Sequence, residues 1–196
     1  MSYDLIAIGA SWGGLNALST LLAGLSDEIA ATIVVAQHRG PDATRGLLET
    51  LLQHHVSRPV CEPNDKQPIE RARIYVAPAD YHLLVENGHF ALSTDVRVQH
   101  ARPSVDVLFE SVAHAYRERA IGIVLTGANA DGAEGLAAIK DAGGVAVVQD
   151  PETAERRTMP DAAIAATRAD TVLRLEEIPR FLYGLCCATS AASPSA

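Results

Sequence analysis

Six short apolar runs recur along this 196-residue chain, and most of the intervals between them carry apolar positions at helical spacing. The runs are Asp4–Ile8, Thr32–Gln37, Arg73–Ala77, Ile121–Thr126, Gly144–Gln149 and Thr171–Leu173. They are often β-branched, which predicts buried parallel strands. Helices are predicted over Gly14–Ala23, Ala43–His54, Val105–Arg119, Gly132–Ala142 and Asp161–Ala166. In the third, Val105, Leu108, Val112 and Tyr116 share a face. Such alternation argues for an α/β fold with an open, mostly parallel sheet flanked by helices. One segment breaks the rhythm. Asn87-Gly88 between apolar runs is a tight-turn signal and predicts a β-hairpin excursion near residues 82–93. The expectation is one domain over residues 1–185 and a tail over 186–196, frayed from Ala188 onward.

Composition narrows the class. Hydrophobic residues make up 48% and aromatics only 5%, which suits a sheet covered by helices. The net charge of −8 argues against nucleic acid as a partner, because phosphates need a basic face. The three cysteines, Cys61, Cys186 and Cys187, are odd in number and two are adjacent. Neither a disulfide framework nor a Cys-x-x-Cys metal site is available to them, and a reducing cytoplasm is the simplest setting. Met1-Ser2-Tyr3-Asp4 lacks the features of a secretory leader, and no apolar run approaches the roughly 20 residues of a membrane helix. A soluble, cytoplasmic protein without membrane insertion is expected.

Gly9-Ala10-Ser11-Trp12-Gly13-Gly14 follows the first predicted strand and opens a helix. It can be read as a phosphate loop or as a turn presenting a nucleophile. A dinucleotide fingerprint needs glycine where Ser11 stands, and an acid near the end of the second strand, where His38 stands. No P-loop pattern occurs elsewhere. The alternative keeps its parts: Gly-x-Ser-x-Gly lies between strand and helix, with free N–H groups at the helix start for a developing oxyanion. A plain helix cap at Ser11 remains the simpler structural role.

The company of Ser11 favours chemistry. His38 ends the second predicted strand, and Asp131 follows the strand Ile121–Thr126. In an open parallel sheet these carboxyl ends converge on one crevice. Serine, histidine and aspartate there supply a nucleophile, its base and the carboxylate that orients the base. Taken singly, His38 reads as a hydrogen-bonded structural residue and Asp131 as a helix-capping acid. The order Ser, His, Asp disfavours an ordinary α/β-hydrolase, whose histidine comes last; here the last histidine is His114.

These blocks, with Arg73–Ala77 leading into Pro78 and His82-Leu83, Arg102-Pro103-Ser104-Val105-Asp106, Leu125-Thr126-Gly127 and Met159-Pro160, resemble the catalytic domain of the chemotaxis protein-glutamate methylesterases, CheB, from about Tyr3 to Leu182. The resemblance implies a doubly wound α/β domain with a catalytic triad at Ser11, His38 and Asp131. It implies hydrolysis of glutamate methyl esters on the cytoplasmic helices of methyl-accepting chemotaxis receptors, with release of methanol; some members also deamidate glutamines. Two departures stand out. Trp12 replaces the usual threonine, and the Gly-Met-Gly-x-Asp-Gly loop reads Gly127-Ala128-Asn129-Ala130-Asp131-Gly132. The family usually carries an N-terminal receiver domain, whereas this sequence opens at the first catalytic strand. Three expectations fit that start: a stand-alone form that is constitutively active, one regulated by a separate protein, or a piece of a longer chain.

The expected oxyanion donors are the amides of Trp12 and Ala128, with Gly13 and Gly127 lining the substrate site. No metal and no cofactor are expected. His54-His55, the one metal-like pair, falls on a predicted helix where adjacent residues point apart. His82 reads as a structural or cleft-wall residue. Arg39, Arg45 and Arg102 either attract an acidic receptor helix or form a solvated face. Two rival functions remain: a serine esterase or amidase for another substrate, and a non-catalytic signalling module.

Overall fold

Strand β1 (Leu5–Ala10) is buried throughout, and its side chains divide between two cores. Leu5 and Ala7 join one; Ile6, Ile8 and Ala10 join the other. That division is the two-residue period of a strand covered on both faces. In this computed structural model, which describes residues 3–187, β1 pairs in parallel with β2 (Thr32–Gln37) and, on its other side, with β7 (Ala120–Val124). Beyond β2 lie β4 (Ile74–Val76) and the edge strand β3 (Val60–Cys61). Beyond β7 lie β8 (Val145–Gln149) and β9 (Thr171–Leu173). Every pairing in this seven-stranded sheet is parallel. The expected hairpin is a separate antiparallel pair, β5 (His82–Val85) and β6 (Phe90–Ser93).

Helices α1 (Gly14–Ala23), α2 (Leu47–Gln53) and α6 (Ile178–Cys187) bury Leu18, Leu21, Leu52 and Leu182 against the face of Ile6 and Ile8. The opposite face is covered by α3 (Val105–Tyr116), α4 (Ala133–Asp141) and α5 (Thr158–Ala166), with Phe90 of the hairpin beside Phe109, Leu136 and Met159. The chain adds strands to one side of β1, then crosses to the other. Parallel crossovers are right-handed, so reversing the direction of travel moves the helices to the other face. The loops after β1 and β7 therefore diverge, and a crevice opens at their carboxyl ends. This is the doubly wound architecture.

Some boundaries differ from the sequence expectations. Helix α2 begins only at Leu47, after Gly46 in a left-handed conformation (φ 78°), and it ends before His54. Helix α5 begins at Thr158, because Pro160 falls in the first turn, where its missing N–H costs nothing. Helix α6 was not predicted: Pro179 interrupts its pattern in sequence yet sits in the first turn. It carries Cys186 and Cys187, and the rest of the expected tail, from Ala188, lies outside the described residues. Strand β3, at two residues, is too short to show a period. No helix among the described residues is long and apolar enough to cross a membrane.

Candidate active site

Ser11 follows the last residue of β1 and is pinned on both sides. Its N–H donates to Thr126 O (2.9 Å), at the end of β7, and its carbonyl accepts from Gln37 Nε2 (2.8 Å), at the end of β2. His38 continues the β1–β2 ladder, donating its N–H to Ala10 O (3.0 Å). Ser11 and His38 are thus neighbours across adjacent strand ends. The residue that caps α1 is Gly13, in the left-handed region (φ 77°), with no side-chain cap bond. Ser11 is not the cap.

The sharp turn leaves Trp12 58% exposed. Its indole Nε1 donates to Glu155 Oε1 (2.8 Å), and the Arg156 guanidinium lies 5.4 Å from the ring centroid. The same segment braces the turn after β7. Gly127 N–H donates to Arg156 O (3.0 Å), and Arg156 N–H donates to Thr126 Oγ1 (2.8 Å). Gly127 has no room for a side chain, since a Cβ there would lie 1.9 Å from Met159 Sδ and 2.9 Å from Ser11 Cβ. The Trp12 and Ala128 amides, the two expected oxyanion donors, have no hydrogen-bond partner among the described residues.

Asp131 lies 2.6 Å from His38 Nε2 through Oδ2, with its side chain fully buried. It is a capping acid, though of a helix other than the one it precedes. Oδ2 also accepts from Val105 N–H (2.7 Å), and Oδ1 accepts from Asp106 N–H (3.0 Å) and Ser104 Oγ (2.8 Å). These amides open α3, whose positive end favours a carboxylate. Burial alone would raise the Asp131 pKa. The hydrogen bonds from His38 and from the Asp106 and Val105 amides outweigh it and hold the carboxyl below its ordinary value. An ionised carboxylate only accepts, so Nε2 of His38 carries the proton and Nδ1 is left as the basic nitrogen.

Asn129 lies beside that nitrogen: its Nδ2 is 3.4 Å from His38 Nδ1, and its Oδ1 accepts from Asp131 N–H (3.3 Å). Ser11 Oγ and His38 make no hydrogen bond to each other among the described residues. Sequence reasoning missed four supporting residues. Asn129 was noted only as part of a loop departure. Ser104, Asp106 and Gln99 come from a distant segment, and only the alternating Ser104 and Asp106 at a helix start hinted at a cap. His82 holds Ser104 in place, accepting its N–H at Nδ1 (3.3 Å) and donating from Nε2 to Val96 O (3.1 Å), which makes it structural.

A doubly wound α/β domain with serine, histidine and a buried carboxylate at adjoining strand ends is the architecture of a serine hydrolase. The CheB methylesterase family profile matches residues 6–182, and the chain belongs to that family. A relative from Leptospira interrogans is 46% identical over 186 residues, covering 94% of this chain and 96% of its own length. The Anaeromyxobacter dehalogenans protein named protein-glutamate methylesterase/protein-glutamine glutaminase 2 is 42% identical over 93% of this chain, which spans 53% of that longer protein. The crystal structure of the Thermotoga maritima CheB methylesterase catalytic domain superposes with a TM-score of 0.88 at 32% identity, covering 94% of this chain and all of that one.

Proposed function

We propose that this chain, over residues 1–185, is a protein-glutamate methylesterase acting on the cytoplasmic helices of chemoreceptors during chemotactic adaptation. One observation carries the reading: a fully buried Asp131 grips Nε2 of His38 at 2.6 Å beside the Ser11 turn. His38 Nδ1 takes the proton of Ser11 Oγ as that oxygen attacks the ester carbonyl. Asp131 keeps the tautomer and stabilises the imidazolium. The Trp12 and Ala128 amides donate to the oxyanion, and Gly13 and Gly127 line the substrate site.

Collapse of the tetrahedral adduct expels methoxide, which takes the proton from His38 and leaves as methanol. Water, deprotonated by His38, then splits the acyl-serine to a glutamate carboxylate and free Ser11. The same steps on glutamine release ammonia. Ser11 Oγ and His38 make no hydrogen bond among the described residues, and catalytic hydrogen bonds often tighten only with substrate bound. The reaction belongs in the cytoplasm, where such receptor helices lie.

The test is methanol release from a methylated receptor cytoplasmic fragment. The wild type should release methanol, and Ser11→Ala and His38→Ala should each fall by about 10³-fold or more. A wild type inactive on such fragments, with Ser11 still labelled by a fluorophosphonate, would redirect the reading to another ester or amide. Absence of both would leave a binding module.

A further inference from the structure

We propose that the cleft beside His38 is a carboxylate subsite, taking the acidic side chains that flank the reacting group on an amphipathic polypeptide. The methylesterase reading supplies only the identity of that reacting group.

The cleft encloses about 500 Å³ and is lined by His38, Arg39, Arg97, Gln99, His100 and Arg102, with small residues and Asn129 completing it. No carboxylate is among its lining residues, on a chain whose net charge is −8. The guanidiniums there are incompletely neutralised. Arg97 and Arg102 share a single oxygen, Asp80 Oδ1, at 3.1 and 2.8 Å. Arg39 meets Glu62 Oε1 at 2.6 Å, and Arg45 approaches the other oxygen of Glu62 at 3.6 Å. Arg45 stands outside the cleft, which itself presents three guanidiniums, from Arg39, Arg97 and Arg102.

The three lining arginines differ in what they can offer. Arg102, largely buried, is committed to Asp80 and to the carbonyls of Thr94 and Asp95. Arg97 is half-exposed with Asp80 as its one acidic partner among the described residues, and His100 is exposed close to it in sequence, in a tight turn. Arg39 retains a buried Nε without a hydrogen-bond partner among the described residues. Asp42 and Asp95 are exposed and stand outside the lining, and the carboxylates that touch the cleft wall, Asp131 on His38 and Asp106 on Gln99, are buried behind it. On the far side of the Ser11 turn, Trp12 and Leu15 are exposed at 58% and 41%. A segment with acidic side chains on one side and apolar ones on the other matches both halves.

Net charge and local charge predict opposite signs, which makes the test sharp. Global repulsion from a −8 chain would weaken binding of an acidic peptide; the subsite strengthens it. The experiment measures peptide affinity by fluorescence anisotropy on the Ser11→Ala protein, so that no turnover intervenes. Two peptides carry one central glutamate methyl ester, flanked by glutamates or by glutamines. At low salt the glutamate peptide should bind about fivefold more tightly, the worth of one exposed ion pair. The difference should shrink to about twofold near 0.5 M salt, where screening is strong.

Adding Arg97→Gln and His100→Gln should remove most of the preference. Arg71→Gln, the same charge change beside Asp4 at the opposite end of the strands, should leave it intact. Thermal melting checks that each variant folds. Equal affinities at low salt, or a preference that survives the Arg97→Gln, His100→Gln change, overturn the subsite. Methanol release is a separate readout: an acidic preference without methanol retires the esterase reading and keeps the subsite, and the reverse result does the opposite.

Discussion

Asp131 and Asp106 cap each other's helices. Asp131, just before α4, accepts the Val105 and Asp106 amides that open α3. Asp106, in the first turn of α3, accepts the Gly132 and Gly135 amides that open α4, at 2.9 and 2.8 Å. Close contact makes the exchange possible, since a Cβ on Gly135 would lie 2.9 Å from Asp106 Cα. Gln99 Nε2 holds the second oxygen of Asp106 at 3.0 Å. The carboxylate assigned to orient His38 is therefore part of the joint between two helices.

Breaking that joint has a pH signature. Burial, with the charge of Asp131 added to it, pushes the Asp106 pKa up from 3.8 to about 6, against the pull of the Gly135 and Gly132 amides. A carboxyl with a raised folded pKa contributes its stability fully below the unfolded value and loses it as pH rises through the folded one. Asp106→Asn keeps the acceptor for both amides and removes the titration. The stability of the wild type relative to this variant should fall between about pH 4 and 7, by an order of 2 kcal/mol. Denaturant melts across that range measure it, and a flat difference would refute it. Asp106→Ala leaves both amides unpaired and should be about 1–3 kcal/mol less stable than Asp106→Asn at every pH, since neither variant titrates at that position.

Gly127 tests whether the turn after β7 shapes the nucleophile's surroundings. Gly127→Ala forces a methyl group into Met159 and Ser11. It should destabilise the fold by about 1–3 kcal/mol and slow fluorophosphonate labelling of Ser11. Adding Met159→Ala should restore part of the stability while labelling stays slow, because the Ser11 contact persists. Full recovery of labelling would contradict the assignment.

Asn129 stands where the family usually has glycine, and its amide meets His38 Nδ1 at 3.4 Å. A donor there competes with Ser11 for the same lone pair. Asn129→Gly should therefore raise the labelling rate of Ser11, by at most about fivefold given so long a bond. A fall in rate would mean instead that Asn129 holds the imidazole in place.

Trp12, the one tryptophan in the chain, is a natural reporter of the site. Its emission should be characteristic of an exposed indole and should shift when a methylated peptide binds. Trp12→Thr removes the bond to Glu155 and the contact with Arg156. Because the residue is exposed, the stability change should stay within about 1 kcal/mol, and the kinetic effect should fall on KM more than on kcat. A collapse of kcat alone would place the side chain at the reacting atoms.

The local pattern determined a good deal. Buried β-branched runs spaced by helices implied a parallel sheet, Asn87-Gly88 marked the hairpin, and Ser11, His38 and Asp131 each followed a strand that ends at the crevice. Those features follow from periodicity and turn chemistry, which act over a few residues. Tertiary structure decided the rest. The short edge strand Val60–Cys61 exists only because β4 offers it a partner. The helix Ile178–Cys187 survives Pro179 because its apolar face is buried against α1. Which nitrogen of His38 meets Asp131 was not readable at all. It depends on Ser104, Val105 and Asp106, some 25 residues away in sequence, and on helices close enough for two carboxylates to exchange caps. Proximity of that kind is a property of packing, and no window along the chain contains it.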